Sequence, residues 1–276
     1  MPPKAPPTKP LSERLLPLVK NTQFFWFLGQ FSVALFSSIY TLQVVPFRQG
    51  SSFIFKNAIA GAILAYSIVL YKVYSPNIAS RSSWNVHFLR RLMTDDNALY
   101  FFLALSLLIN RPVLFALAPY AIYATFHIST YMRSNLLPVL SPSITSSTEP
   151  KNQLYKLSQL LNKYTRTQFQ PAMKLVANIE TFLFFRYFFG FFLRKNTFSQ
   201  FIFYAFFLRM RYNSSHFTRA SIRDIGLRMD RVVADNRIPP QVRNAWFQLK
   251  HYLSRFGNVP VAQASASSGR PASAST

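Results

Sequence analysis

The stretch TQFFWFLGQFSVALFSSIYTLQVV, residues 22–45, contains no charged side chain. A helix of that length would measure about 36 Å at about 1.5 Å per residue, which exceeds the ~30 Å hydrocarbon core of a bilayer. Pro46 follows directly, and proline ends a helix because it has no backbone N–H to donate. The stretch therefore predicts a helix that crosses a membrane.

The composition of the whole chain agrees with a membrane location. Half of its 276 residues are hydrophobic, and 31 Lys and Arg against 8 Asp and Glu give a net charge of +23. Only 14% of the residues are charged, whereas a soluble domain has roughly 25%. A nucleic acid would attract the charge alone, but an anionic bilayer attracts both the charge and the apolar surface. We therefore expect a lipid bilayer with anionic lipids as the main partner.

The chain contains no cysteine, which excludes disulfides, thiolate metal sites and cysteine nucleophiles. Its first residues, MPPKAPPTKPLSERLLPLVK, are basic and proline-rich and lack the apolar core of a signal peptide. We expect residues 1–21 to be disordered and membrane insertion to use the first internal span.

A second apolar run, residues 53–74, predicts the returning span. Lys56 lies near its start and can extend its amino group to the membrane surface. Small residues let two helices approach closely, and we expect those of this run to pack it against a neighbouring span rather than to form a specific dimer motif. They are Ala58, Gly61, Ala62 and Ala65.

The third apolar zone, residues 97–132, is interrupted by Asn110-Arg111-Pro112. As one span it would place Arg111 in hydrocarbon, at a cost of roughly 2.5–3.5 kcal/mol. As a hairpin of arms 97–109 and 113–132 it places Arg111 among the headgroups, although the first arm is short. The distribution of Lys and Arg favours the hairpin, because four crossings in residues 22–132 put the most basic segments and both termini in the cytosol.

Residues 133–174 are expected to form a cytosolic segment with an amphipathic helix, and residues 175–208 a Phe-rich zone. Phenylalanine can lie near the acyl and headgroup boundary while arginine reaches phosphate, and we expect Glu180 and Arg186 of this zone to reach that interface. The zone predicts a hairpin within one leaflet, with one or two full spans as alternatives. Its interfacial aromatic residues are Phe184, Phe185, Phe188, Phe189, Phe201, Phe203, Phe206 and Phe207.

Residues 209–256 are strongly basic and carry two apolar stripes at helical spacing, with Pro239 and Pro240 between them. Basic amphipathic helices are typical of membrane-surface binding. Two such stripes can also pack on each other as a helical hairpin or dock on another protein, and these alternatives stay open. The candidate membrane-surface residues are Ile222, Ile225, Met229, Val232, Val242, Trp246, Leu249, Leu253 and Phe256, with the basic Arg243, Lys250 and Arg255. Residues 257–276 are rich in Ala and Ser and are predicted to be disordered.

The sequence has none of the motifs HxxxxD, HExxH and GxSxG. Asp95 and Asp96 are expected to cap the helix that begins near Asn97. We predict no catalytic, cofactor-binding or metal-binding residues and no enzyme activity. A transporter or channel, or a lipid-modifying membrane enzyme, is the alternative function, and no specific nucleic acid is expected as a partner.

The fold class predicted is an all-α integral membrane protein with two or more helical hairpins and C-terminal amphipathic helices.

Three segments resemble a known family. They are TQFFWFLGQ, NALYFFLALSLLINRP and FSQFIFYAFFLRMRYNSSHFTRASIRDIGLRMDRVV, and the resemblance covers residues 20–256. The family consists of small eukaryotic membrane proteins that include fungal pore-membrane nucleoporins, tetraspanning tubular-ER proteins and their animal transmembrane relatives. Its signature is a pattern of apolar, aromatic and arginine positions, and it supplies no active-site residues.

The resemblance implies residence in the endoplasmic reticulum and the nuclear envelope. It also implies a role in shaping ER tubules together with reticulon-type proteins, and a role in organising the nuclear envelope with nuclear pore components. A short hairpin arm, a Phe-rich leaflet zone and amphipathic helices are compatible with this role, since each would add bulk to the cytoplasmic leaflet.

Overall fold

The computed structural model describes residues 10–45, 50–79, 86–140, 153–235 and 238–257. Every regular element in these ranges is a helix, which confirms the predicted all-α membrane fold. The helices are α1 (Leu11–Lys20), α2 (Thr22–Val44), α3 (Ser52–Ala79), α4 (Val86–Thr94), α5 (Asp96–Ile109), α6 (Leu114–Tyr131), α7 (Leu137–Leu140), α8 (Gln153–Phe192), α9 (Phe198–Ser214), α10 (His216–Val233) and α11 (Pro240–Gly257), and a π-helical turn at Met132–Leu136 precedes α7. The chain divides into two compact units, one ending at Thr218 and one beginning at Arg219.

Helices α2 and α3 form an antiparallel hairpin whose backbones touch at two glycines. A Cβ atom at Gly29 would lie 2.8 Å from the carbonyl oxygen of Gly61, and a Cβ atom at Gly61 would lie 2.9 Å from that of Gly29. Ala58, Ala62 and Ala65 of α3 are fully buried. The small residues of this run therefore pack it against its neighbour, as predicted.

In the first unit the end of one helix contacts the start of its neighbour, so neighbouring helices run in opposite directions. The Tyr74 hydroxyl, near the end of α3, donates to Asp95 Oδ2 at the start of α5 over 2.9 Å. The Phe27 ring, near the start of α2, stacks on Tyr131 at the end of α6 with ring centres 4.5 Å apart. We call this the Asp95 end of the bundle. The turn between α8 and α9 lies at the opposite end.

Residues 97–132 form two helices rather than one. Asp95 caps α5 by accepting the backbone N–H of Asn97 at 2.8 Å. At the other end of α5 the side chain of Asn110 donates to a carbonyl of the last turn at 2.7 Å, and Pro112 has no N–H to continue the helix. Arg111 is therefore exposed in the connection of a helical hairpin.

Helix α8 has 40 residues and runs without a break from Gln153 to Phe192. The sequence predicts a boundary after residue 174, between a cytosolic segment and the first arm of the Phe-rich zone. Helix α8 continues across this boundary. Pro171 lies inside α8 and removes one backbone hydrogen bond, but its neighbours Gln170 and Ala172 favour helix. The two segments therefore form one rod of about 60 Å.

Three helices in the described ranges are long and apolar enough to cross a membrane: α2, α3 over Ser52–Ser75, and α8. Helices α4 and α5 would together make a fourth span, but they are bent by 77° at Asp95. Helix α5 has 14 residues and α9 has 17, so they are about 21 and 25 Å long. Both are shorter than the ~30 Å hydrocarbon core.

Candidate functional site

A cluster of charged side chains lies inside the bundle between α5, α8 and α9. The side chains of Glu180 and Arg211 are 1% and 5% exposed, and Nε of Arg211 lies 3.4 Å from both carboxylate oxygens of Glu180. Nη1 of the same arginine lies 2.8 Å from Oδ2 of Asp96, whose side chain is half exposed. The cluster therefore extends from the interior to the Asp95 end.

Tyrosine hydroxyls complete this cluster. Tyr100 donates to Oε1 of Glu180, Tyr204 donates to the Glu180 backbone carbonyl at 3.0 Å, and Arg211 Nη2 donates to the Tyr123 hydroxyl at 3.4 Å. The Arg211 guanidinium also lies 5.3 Å from the centre of the Tyr100 ring. A buried charge is tolerated when it is paired and hydrogen-bonded. These hydrogen bonds and ion pairs therefore connect α5, α6, α8 and α9 inside the bundle.

The expectation that Glu180 reaches the membrane interface is wrong. Its partner, Arg211, is 31 residues later in the chain, and no spacing within the Phe-rich zone indicates that pairing. A weaker signal was present in the tyrosines of α5, α6 and α9, because a hydroxyl in an apolar helix needs a hydrogen-bond partner.

The Phe-rich zone has an outward and an inward face. Phe185, Phe189 and Phe206 are exposed at 38%, 59% and 42%. Phe207 is fully buried, and its ring lies 5.5 Å from that of Tyr100.

The remaining aromatic candidates lie between these two faces. Phe184, Phe188, Phe201 and Phe203 are half-buried, and the Phe201 ring lies 5.8 Å from Phe184 and 5.7 Å from Phe188. Phe184, Phe188 and Phe201 therefore join α8 to α9, whereas Phe203 lines a crevice beside α5. The most exposed members of the predicted interfacial set are Phe185, Phe189 and Phe206.

The turn between α8 and α9 combines basic and apolar side chains. The backbone N–H of Lys195 donates to the Gly190 carbonyl at 2.8 Å, and Arg194 has a positive φ of 52°. The side-chain ends of Asn196 and Arg186 lie beside Gly190, so a Cβ atom there would require them to shift. Exposed Phe192 and the two basic side chains lie at this tip, a combination suited to a membrane interface.

In the second unit, α10 and α11 are held together through Asp230. Trp246 Nε1 donates to Asp230 Oδ1 at 2.8 Å, and Lys250 Nζ lies 2.6 Å from Asp230 Oδ2. Arg243 adds a hydrogen bond from Nε to the Val233 carbonyl at 3.3 Å. Three of the candidate membrane-surface residues, Trp246, Lys250 and Arg243, therefore contact α10.

The ion pair and the hydrogen bond act on the same carboxylate. The Lys250 ammonium, followed by the Trp246 indole, lowers the pKa of Asp230 below its ordinary value of 3.8. Both donors favour the charged carboxylate, so ionised Asp230 contributes to closure of the hairpin.

The two predicted stripes have different surroundings. Met229 and Val232 are exposed at 39% and 55%, and they lie about 100° and 160° around α10 from Asp230. The α10 stripe, which also includes the half-buried Ile222 and Ile225, is therefore not the surface that contacts α11.

On α11, Val242 is 51% exposed, whereas Trp246 faces α10. The predictions for Leu249, Leu253, Arg255 and Phe256 concern side chains that lie outside the described part of the structure. Membrane binding by either stripe stays a prediction.

The described residues contain no group of three or more His, Cys, Asp or Glu side chains placed to hold a metal ion. Asp96 and Glu180 are both engaged by Arg211. Both carboxylates of the charged cluster therefore bind Arg211 within the bundle.

Comparison with known proteins identifies relatives along the whole chain. No solved structure matches it. It is 61% identical to "Tetra-spanning protein 1" of Schizosaccharomyces pombe, with all of both chains aligned. It is 27% identical to "Nucleoporin POM33" of Chaetomium thermophilum over 92% of each chain. It is 26% identical to the "Pore and endoplasmic reticulum protein of 33 kDa" of Saccharomyces cerevisiae over 94% of this chain and 99% of that one. Residues 8–258 match the family described as Transmembrane protein 33/Nucleoporin POM33, and the chain belongs to that family.

Proposed function

We propose that this chain is a non-enzymatic protein of the endoplasmic reticulum and nuclear envelope that shapes tubular ER and assists nuclear pore and envelope organisation. The names of its relatives refer to pores and to the endoplasmic reticulum. Under this proposal its partners are anionic lipids, reticulon-type proteins and nuclear pore components, and both termini are cytosolic.

The observation that carries the proposal is a pair of short helices lying side by side. The Tyr100 ring of α5 lies 5.5 Å from the Phe207 ring of α9, and Arg211 joins the Asp95 ends of both helices through Asp96. From that shared end the pair extends only about 21–25 Å, whereas α3, with 28 residues, measures about 42 Å. Under this proposal the two short helices add width to the bundle mainly in the leaflet at the Asp95 end.

This shape bends a bilayer when the wider end lies in the cytoplasmic leaflet, because unequal leaflet areas favour positive curvature. The distribution of charge supports that orientation, since basic residues are concentrated at the Asp95 end and basic segments remain in the cytosol. Those near this end include Lys20, Lys72, Arg90, Arg91, Arg133 and Arg209.

The basic second unit supplies a further candidate insertion element. Its α10 stripe, with Met229 and Val232 exposed, is available while the hairpin is closed. The α11 stripe requires Trp246 to leave Asp230. Insertion would place the apolar side chains among acyl chains and the arginines among phosphates.

The proposal is tested by reconstituting the purified chain into liposomes and imaging them by electron microscopy. We expect tubules with the wild type and fewer tubules with the double variant Phe189→Ser/Phe206→Ser, which removes outward-facing rings from α8 and α9. Phe31→Ser on α2 is the matched control, because Phe31 is 47% exposed but lies on a long helix. Both proteins should stay membrane-embedded after alkaline extraction.

Spherical liposomes at every protein density would contradict the proposal. Ion flux through the reconstituted protein would instead support a channel or transporter, and turnover of the lipid would support a membrane enzyme. The same vesicles serve all three measurements.

A further inference from the structure

Helix α4, Val86–Thr94, was not predicted from the sequence and has no role in the function proposed above. It is bent by 77° from α5. If α5 follows the bilayer normal, α4 lies almost in the plane of the membrane at the Asp95 end. Its position is fixed by Phe88, whose ring lies 5.5 Å from that of Tyr74, and by the bond from Tyr74 to Asp95.

The side chains of α4 separate into an apolar and a basic face. Val86, Leu89 and Met93 follow the spacing of one helical face. Val86 and Leu89 are 81% and 55% exposed. Arg91 lies on the opposite side and is exposed. A helix of this kind at the boundary of a membrane domain is suited to the headgroup layer.

Below α4 lies an apolar crevice between α5 and α9. Its volume is about 310 Å³, and its lining is Met93, Leu99, Phe102, Phe203, Phe206 and Phe207. This size is at the lower end of the range for ligand pockets in proteins, about 300–1,000 Å³. No polar side chain lines it, so an occupant would have to be hydrocarbon.

We propose that the corner formed by α4, α5 and α9 binds a phospholipid with an anionic headgroup. One acyl chain lies in the crevice and passes Leu89 and Met93, and the phosphate and headgroup meet Arg90 and Arg91 at the membrane surface. Arg90 precedes Met93 by three residues and lies about 60° from it around α4, so a lipid whose chain enters the crevice can place its phosphate beside Arg90. Arg91 lies about 160° from Met93, and its long side chain can extend to the same headgroup at the membrane surface. The net charge of +23 adds a general attraction for anionic lipid.

This inference does not depend on membrane shaping, because a bundle that leaves the bilayer flat would offer the same corner to lipid. The expected preference for anionic lipid comes from the two arginines. One basic residue near the surface enriches an anionic lipid by about fivefold. A corner with two arginines should therefore differ measurably from lipid-exposed surface in the middle of a span.

The test uses the absence of cysteine in the chain. A single cysteine at Leu89 is labelled with bimane in the full chain, which is placed in nanodiscs of phosphatidylcholine. Phosphatidylserine or phosphatidylcholine with a spin label high on the acyl chain is then added at equal mole fraction. We expect the serine lipid to quench bimane at least about fivefold more effectively, and the double variant Arg90→Gln/Arg91→Gln to remove most of this preference.

Leu64 on α3 is the control position, because it is 43% exposed in the middle of a span. A label there should be quenched equally by the two lipids. Equal quenching at Leu89, or an equally strong serine preference at Leu64, would overturn the proposal. Quenching by iodide in water rather than by lipid at Leu89 would also overturn it, because α4 would then lie outside the headgroup layer.

Discussion

Trp246 and Asp230 hold α10 and α11 together: the indole N–H donates to the carboxylate at 2.8 Å. The same carboxylate pairs with Lys250 at 2.6 Å. Trp246 is also the largest apolar side chain among the predicted membrane-binding residues of α11. If α11 inserts into the membrane as proposed, hairpin closure and insertion would compete for Trp246.

Replacing Asp230 with Asn should shift this competition toward insertion of α11. The variant loses the ion pair with Lys250 and retains only a neutral acceptor for Trp246. A bimane label at Val242→Cys in the full chain, in nanodiscs with anionic lipid, should be quenched more strongly by spin-labelled lipid in Asp230→Asn than in wild type. Asp224→Asn on the same helix is the control and should behave as wild type. Unchanged quenching in Asp230→Asn would show that closure of the hairpin does not limit insertion.

The closed hairpin should open at low pH. Because the folded pKa of Asp230 is lowered, its stabilising contribution is present above the ordinary pKa near 3.8 and is lost as the pH falls through the folded value. Spin labels at Arg228→Cys and Phe247→Cys, both exposed positions, report the separation of the helices. The distance distribution should be narrow at pH 7 and broaden below about pH 4. Asp230→Asn should remove the pH dependence, and a transition that persists in this variant would assign it to another group.

Arg211→Met should destabilise the bundle strongly, because it leaves Glu180 charged and unpaired in the interior. Breaking one side of a buried ion pair costs about 3–5 kcal/mol, whereas replacing both partners costs less. The melting temperature in detergent should therefore fall sharply for Arg211→Met and recover in part when Glu180→Gln is added. Lys195→Met at the exposed turn is the control and should change it little. Additive losses in the double variant would mean that the two residues are not coupled.

Gly29→Ala should destabilise the α2–α3 hairpin by about 1–3 kcal/mol, because the new methyl group would meet the Gly61 backbone. Gly226 provides the opposite case, since a Cβ atom there would have no neighbour within 4 Å. Gly226→Ala should stabilise α10 by about 0.5–1 kcal/mol through helix propensity. Thermal unfolding followed by circular dichroism compares the two. Equal effects would show that the glycines do not differ in packing.

Asn213 begins the sequence Asn-Ser-Ser, a potential acceptor for N-glycosylation. It lies near the end of α9, at the Asp95 end, which we propose to be cytosolic. Asn213 is exposed, so burial would not prevent its modification in the lumen. We expect no glycosidase-sensitive mass shift in cells. A shift that disappears in Asn213→Gln would reverse the proposed orientation.

The elements that were predictable are those set by composition and by local chain chemistry. Uncharged runs, proline after α2 and the Asp95 cap depend only on neighbouring residues, so the all-helical fold, the start of α5 and the family follow from the sequence. The small residues of α3 also indicate close packing, because they let a second helix approach its backbone.

What was missed depends on residues far apart or on competing local signals. The residues around Glu180 favour a membrane interface, whereas its actual partner, Arg211, lies 31 residues later in the chain. Helix α4 is too short to be distinguished from a loop by its periodicity. Pro171 suggests a helix end, yet favourable neighbours carry α8 through it. Only the Glu180 case is decided by a tertiary contact, whereas α8 depends on local signals that oppose each other.

The pairing of Glu180 with Arg211 also constrains the order of events during synthesis. Glu180 leaves the ribosome 31 residues before its partner, when the last turns of α8 and all of α9 have yet to emerge. An uncompensated carboxylate cannot settle between apolar helices at that stage. We therefore expect α8 and α9 to enter the bilayer together, since Arg211 then accompanies Glu180.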